Sequence, residues 1–260
     1  MENNRVLVIG GGLGGLMTAI ILQKNAYQVT IVEKNSRVGG LLQSFKRKSC
    51  NFDTGMHYIG SLDKGQITYK LFKYFDIYDA LALQRMNAES YDVFRIGDKE
   101  YSYPFGWKNF RNKMLSYFPD EKEAIDKYIS KAIEVCNSHD LYSLRYPIDE
   151  SIAQSPAIEQ GVNDFVKSIT DNTELQNVLL ASNSIYAGRA EKSSLYMHMV
   201  IHNYYNNSAY KVYGGGEMVA KSLAQSFVNL GGKIVVNEQI EKLNVDDKKL
   251  VNAVSKSGTV

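Results

Sequence analysis

The sequence predicts an α/β protein, an open parallel sheet wound with helices and interrupted by a long inserted α+β segment. Three observations predict it. An apolar run, Val6–Ile9, is followed by Gly10, Gly12 and Gly15 and then by apolar positions Leu16, Ala19, Ile20 and Leu22 at helical spacing. A second apolar run, Val29–Val32, ends on the acidic Glu33. Far downstream, glycines return at Gly214–Gly216 and Gly231–Gly232 and bracket one more helical pattern before an apolar run at Lys233–Val236.

Each part of the first strand–turn–helix–strand unit has a physical reason. The run Val6–Ile9 suits a parallel strand buried on both faces. Gly10 permits the tight turn out of that strand, Gly12 lets the backbone approach a pyrophosphate, and Gly15 lets the helix pack closely on the sheet. The helix beginning near Leu13 turns unpaired N–H groups and a positive dipole end toward the phosphates, worth about 0.3 to 2 kcal/mol. Glu33, at the end of the second strand, can accept both hydroxyls of a ribose diol and repels a 2′-phosphate. This is a Rossmann-like unit for adenosine diphosphate; the bland alternative is the same unit with no ligand. NAD and FAD share that moiety. Arg37, Gly39 and Gly40 follow Glu33 at the spacing ExxxRxGG, and a second glycine pair lets the chain run close to a long, bent cofactor.

The ExxxRxGG extension resembles the flavoprotein family that contains amine oxidases, phytoene desaturases and carotenoid isomerases, which implies FAD. The next segment, NFDTGMHYIG at Asn51–Gly60, is similar to one in the phytoene desaturase group, above all its retinol saturase branch. The runs YPFGWKNFRNKMLSYFPDE, YMHMVIHNYY and YGGGEMVAKSLAQSFVNLGG resemble the same branch, so the likeness extends over nearly the whole chain. It implies a cofactor set of Gly10, Gly12, Leu13, Gly14, Gly15, Glu33, Lys34, Arg37, Gly39, Gly40 and Leu41, with backbone at Gln239 and Ile240 meeting the adenine edge. Members of the family are roughly twice as long, so the chain reads as an N-terminal half that stops at Val260 with the C-terminal part of the fold missing.

The expected organisation is a first segment of the FAD-binding domain over residues 1–65, an inserted substrate or cap domain over 66–210, and a return to the FAD-binding domain over 211–260. From Tyr69 to Tyr213 the chain is tyrosine-rich. Within it TYKLFKYFDIYDALAL reads as one helix with Leu71, Phe75 and Tyr78 on a side, and YDVFRIGDKEYSYP reads as a hairpin turning at Gly97–Asp98. Further helices are expected from Asp120 and Glu121 to about Cys136, over Glu174–Ser184 and over Ser193–Tyr205. The last residues read as paired strands, QIEKLNVD and KKLVNAVSKSG, joined at Asp247.

Bulk composition excludes several function classes. With 30 basic and 28 acidic residues the net charge is +2, which gives no global electrostatic case for nucleic acid. The basic cluster Lys46–Lys48 reads as a solvated turn. Cys50 and Cys136 lack zinc or redox spacing and are expected as free thiols, Cys50 as a small buried hydrophobe. No stretch of 18 apolar residues exists to span a membrane, and the N-terminus runs straight into the first strand. A cytoplasmic protein is expected, with peripheral membrane contact left open because lipid substrates reside in bilayers.

A flavin carries its own redox chemistry, so no catalytic triad is expected. His57 is the one candidate catalytic side chain, as a donor to a flavin carbonyl or a proton carrier; the alternative is a brace for its loop. His198 and His202 stand at i, i+4, the spacing of a metal pair, but a third ligand is missing and the alternative is packing within the cap. The tyrosines either line an apolar channel for a polyene or pack an interface. The expected function is FAD-dependent chemistry on C=C bonds of a conjugated isoprenoid, a hydrophobic small molecule. The alternatives are a non-catalytic nucleotide-binding fragment and an amine-oxidase-like flavoprotein.

Overall fold

The structure, a computed structural model, describes residues 4–138, 144, 155–189, 191–247 and 249–259. Lys248 and Val260 therefore lie outside the described residues. The chain divides into two compact units, one of residues 1–58, 71–84 and 211–260 and one of residues 59–70 and 85–210.

In the first unit, β1 (Arg5–Ile9) leads through Gly10–Gly12 into α1 (Leu13–Lys24) and then β2 (Gln28–Val32). β1 and β2 pair in parallel register, Arg5 opposite Gln28 and Ile9 opposite Val32. On the other side of β2, the strand Lys233–Val235 pairs in parallel with Thr30–Val32. The α/β class is present as expected. α1 buries Leu16, Ala19 and Ile20, and the helix Gly216–Asn229 packs against it with Val219, Ala220, Leu223 and Phe227 buried. One expectation fails here. β1 is an edge of this sheet among the described strands and is only partly buried, with Ile9 52% exposed, because β2 alone pairs with it.

Two further elements of this unit differ from the sequence expectation. The helix read through TYKLFKYFDIYDALAL stops at Tyr74, and a short 3-10 turn follows at Tyr78–Ala80. Asp76 between them adopts a left-handed φ of 57°, which no α-helix continues through. Leu71–Gln84 also groups with the first unit, although the sequence places it in the insertion. The Lys24 ammonium at the end of α1 explains this, donating to the Tyr74 carbonyl at 2.5 Å and to Asp76 Oδ2 at 2.7 Å. A hairpin that the sequence did not announce, Ser44–Arg47 with Cys50–Asp53, follows Gly39–Gly40. Cys50 lies exposed on it, contrary to the buried role expected, because the hairpin end stands in solvent. The expected C-terminal pair is Ile240–Asp246 against Lys249–Ser255, extended by Gly258–Thr259.

The second unit is helical around a small hairpin. Asp92–Ile96 pairs with Lys99–Tyr103 across Gly97–Asp98, as expected, with Gly97 at φ 61°. The helix Lys122–Asn137 buries Ile125, Tyr128, Ala132 and Val135 and packs against Leu195–Asn207. The helix expected to run to Ser184 ends at Leu180 and tightens into a 3-10 stretch, Ala181–Tyr186. The helices Pro156–Glu159 and Val162–Ile169 were not anticipated.

Both cap histidines are core residues of this unit. The Tyr128 hydroxyl stands 2.8 Å from His198 Nε2 and 2.8 Å from His202 Nδ1. Burial disfavours the imidazolium, lowering His198 to about 4 and His202 well below the ordinary range. Among the described residues no group of His, Cys, Asp or Glu is placed to hold a metal. Tyr91, Tyr101, Tyr103 and Tyr128 are buried too, with Tyr101 donating to Glu174 and Tyr103 to the Val178 carbonyl. These four pack the unit. Cys136 is buried with Sγ 3.7 Å from the Met199 carbonyl, and burial pushes its thiol up to about 12.

Candidate cofactor site

The glycine turn between β1 and α1 is built from backbone. Gly10 takes φ 99° and its N–H donates to the Val32 carbonyl at 2.8 Å, which ties the turn to the end of β2. A Cβ on Gly15 would stand 2.0 Å from the Gly10 carbonyl oxygen, so the close helix packing expected there is real. Gly12 and Gly14 are different. Neither has a positive φ, and a Cβ on either would meet no protein atom within 4 Å. Local geometry does not require glycine at these two positions; the space before the first turn of α1 does, if a ligand fills it. No side chain caps that turn and no acidic residue sits in it, so its N–H groups and dipole favour an anion. These residues fit a dinucleotide pyrophosphate.

Glu33 is 6% exposed and its carboxylate is already engaged. Oε2 accepts from Gly11 N–H at 2.7 Å and Oε1 from Asn35 N–H at 2.8 Å. Glu33 thus braces the glycine turn, a role beyond the ribose contact expected from sequence. Its carboxylate oxygens keep further lone pairs for hydroxyl donors.

The second glycine pair packs on the first. Gly39 (φ 121°) donates its N–H to the Gly11 carbonyl at 2.7 Å, and a Cβ on Gly40 (φ 53°) would stand 3.2 Å from the Gly12 Cα. The sequence ascribed this pair to passage along a cofactor; its immediate reason is contact between two backbone segments. Leu13 and Leu41 flank the turn with exposures of 43% and 75%. Residues 237–240 also reach this corner: Asn237 N–H donates to the Asn35 carbonyl and Glu238 N–H to the Glu33 carbonyl, just before Ile240 opens its strand.

Not every predicted residue points into the corner. Arg37 donates to the Ser44 carbonyl at 2.9 Å and pairs with Glu217 at 3.4 Å, while Lys34 is exposed. The Lys221 ammonium and the Ser44 hydroxyl hold the Glu217 carboxyl below the usual carboxylate range. His57 is exposed on the loop after Asp53. Sequence reasoning missed Asp53 itself. Its Oδ1 accepts from Gly216 N–H at 3.1 Å and so caps the helix Gly216–Asn229 from a distant part of the chain. Gly215, at the cap position with φ 76°, leaves room for that carboxylate, because a Cβ there would fall 2.0 Å from Oδ1. An acidic residue after the first glycine pairs and an uncapped Gly-Gly-Gly helix start were the available signals.

Comparison with known proteins bears on the family and the fold. The model of the flavin containing amine oxidoreductase family matches residues 13–260. The chain is 28% identical to the all-trans-retinol 13,14-reductase of Danio rerio over 98% of this chain and 44% of that protein. It is 25% identical to a 4,4′-diapophytoene desaturase of Staphylococcus aureus over 98% of this chain and 53% of that protein. The chain therefore spans about half the length, or less, of these relatives. Among solved structures, an oxidoreductase from Methanosarcina mazei superposes with a TM-score of 0.65 at 17% identity, covering 98% of this chain and 56% of the other. This chain belongs to the flavin containing amine oxidoreductase family.

Proposed function

We propose that the chain binds FAD and forms part of an oxidoreductase that saturates, desaturates or isomerises C=C bonds of a conjugated, isoprenoid-like lipid. The observation that carries the cofactor is the open space at Gly12 and Gly14 before an uncapped helix start, beside Glu33. The substrate class is supported by the retinol reductase and diapophytoene desaturase relatives. Bound flavin would supply the hydride chemistry. The N–H groups at the start of α1 would hold the pyrophosphate, Glu33 the ribose hydroxyls, and the backbone at Ile240 the adenine edge. Gly10, Leu13, Gly15, Gly39, Gly40 and Leu41 complete the proposed cofactor set at this corner, and Lys34 and Arg37, which do not point into it, belong to the set on the family resemblance alone.

In the same reading, the second unit, residues 59–70 and 85–210 rather than the whole of 66–210, supplies the substrate or cap domain, and His57 is the candidate for proton movement near the flavin. Among the described residues no helix is long and apolar enough to cross a membrane. We place the protein in the cytoplasm, in peripheral contact with a bilayer that holds the substrate.

A second reading, a nucleotide-binding piece that does not turn over by itself, is favoured by the position of β1 at the edge of its sheet among the described strands. Absorption spectra of the purified protein separate the two. The flavin bands of a yellow preparation, or of one reconstituted with FAD, together with reduction of a polyene in the presence of an electron donor, support the first. A colourless preparation that takes up no FAD sinks it.

A further inference from the structure

We propose that the hairpin Ser44–Arg47/Cys50–Asp53 docks on an anionic lipid surface, its paired phenylalanine rings entering the headgroup layer and its cations meeting lipid phosphates. Phe45 and Phe52 stand directly opposite in the strand register. Their rings stack with centroids 5.5 Å apart and planes within 17°, yet each residue is 46% exposed. A stacked aromatic pair held in water is an apolar surface awaiting a less aqueous neighbour.

Charge decides which neighbour. Lys46, Arg47 and Lys48 follow consecutively at the turn, all exposed, and none has a side-chain hydrogen bond or ion pair among the described residues. Nearby Arg37 and Lys221, in contrast, are both paired with Glu217. Strand alternation sets Arg47 on the face of Phe45, and Lys46 on the other. Lys46 there lines a recess of about 340 Å³ with Arg37, Ser44, Asn51, Lys221 and Glu217, whose carboxylate occupies Arg37 and Lys221 and leaves Lys46 as the cation for a phosphate headgroup. Aromatic rings beside unpaired cations at one exposed tip are the signature of interfacial binding to anionic lipid. An acidic protein surface would satisfy the cations but has no stated need for the rings. The proposal extends the peripheral contact of the preceding reading, and its test reads no turnover, so either can fail without the other.

The test is co-sedimentation of the purified protein with vesicles of phosphatidylcholine alone or mixed with phosphatidylglycerol. Binding is expected on the mixed vesicles, weak on the neutral ones, and reduced as salt rises from about 0.1 M to 1 M and the Debye length shrinks from about 10 Å to about 3 Å. Each lost cation should weaken partitioning about fivefold, so Lys46→Gln with Arg47→Gln and Lys48→Gln should weaken it about a hundredfold. The charge-keeping set Lys46→Arg, Arg47→Lys and Lys48→Arg should bind normally. Phe45→Ser with Phe52→Ser should lose the salt-resistant part, with unchanged circular dichroism marking an intact fold. Absence of binding to mixed vesicles, full binding by the glutamine set, or full binding by the serine pair would overturn the proposal.

Discussion

Replacing Glu33 with glutamine separates its two roles. In the protein without flavin, the carboxylate accepts from a buried Gly11 N–H at 2.7 Å and from the N–H of exposed Asn35 at 2.8 Å. Hydrogen bonds to a charged acceptor contribute about 1.5 to 3 kcal/mol each. Water can replace the acceptor at Asn35 but not at Gly11, so Glu33→Ala should cost about 3 kcal/mol before any cofactor is considered. Glu33→Gln keeps one oxygen and turns an amide N–H₂ toward the other donor, which should cost about 2 kcal/mol. Urea unfolding of the flavin-free proteins measures both losses, and fluorescence titration with FAD measures the ribose contribution separately. If flavin-free Glu33→Gln unfolds within about 0.5 kcal/mol of the parent while losing FAD affinity, the carboxylate does not brace the turn and the structural argument is wrong.

Three further outcomes are expected. Gly15→Ala should lower the flavin-free melting temperature through a cost of about 2 to 3 kcal/mol, since its Cβ would press on the Gly10 carbonyl from 2.0 Å, whereas Gly12→Ala should leave stability alone and lower flavin occupancy in an absorbance assay. Asp53→Ala should cost about 1 kcal/mol in urea unfolding by uncapping the helix Gly216–Asn229, and Asp53→Asn should recover most of it. For pH, both buried histidines are harder to protonate in the folded state than in the unfolded chain. Their stabilisation is therefore complete above the unfolded value of 6.5 and is lost as pH falls toward about 4 for His198 and lower for His202. Stability should drop by about 1.4 kcal/mol per pH unit for each histidine in that window, and His198→Gln should flatten the slope seen in urea titrations.

The first forty residues were legible because several glycines there answer local backbone demands that their spacing announces. Gly10 and Gly39 need positive φ, and Gly15 needs a missing Cβ. The hairpin at Gly97–Asp98 was legible for the same reason. Asp53 was not, since its partner Gly216 lies 163 residues away and the two signals, an acidic residue in one segment and an uncapped glycine helix start in another, do not announce that they meet in space. Helix ends were misread where a single residue decides them: Asp76 in the left-handed region stops a pattern that hydrophobic spacing would carry onward. The buried histidines could be placed on one helix from their spacing, but their joint partner Tyr128 sits on another, so metal pair and core network looked alike until tertiary contacts were known.

The exposed flank of β1 bears on how the protein is handled. Its ladder toward β2 is complete from Arg5 to Ile9, and among the described strands none pairs with its other side along the run Val6–Ile9 of valine, leucine and isoleucine. Such an edge templates strand addition, productively by a further segment that extends the parallel sheet, or unproductively by another copy. Preparations of these 260 residues should therefore self-associate more as concentration rises. A charged substitution at Ile9, 52% exposed on that strand, should suppress the association and leave the glycine turn beside it intact.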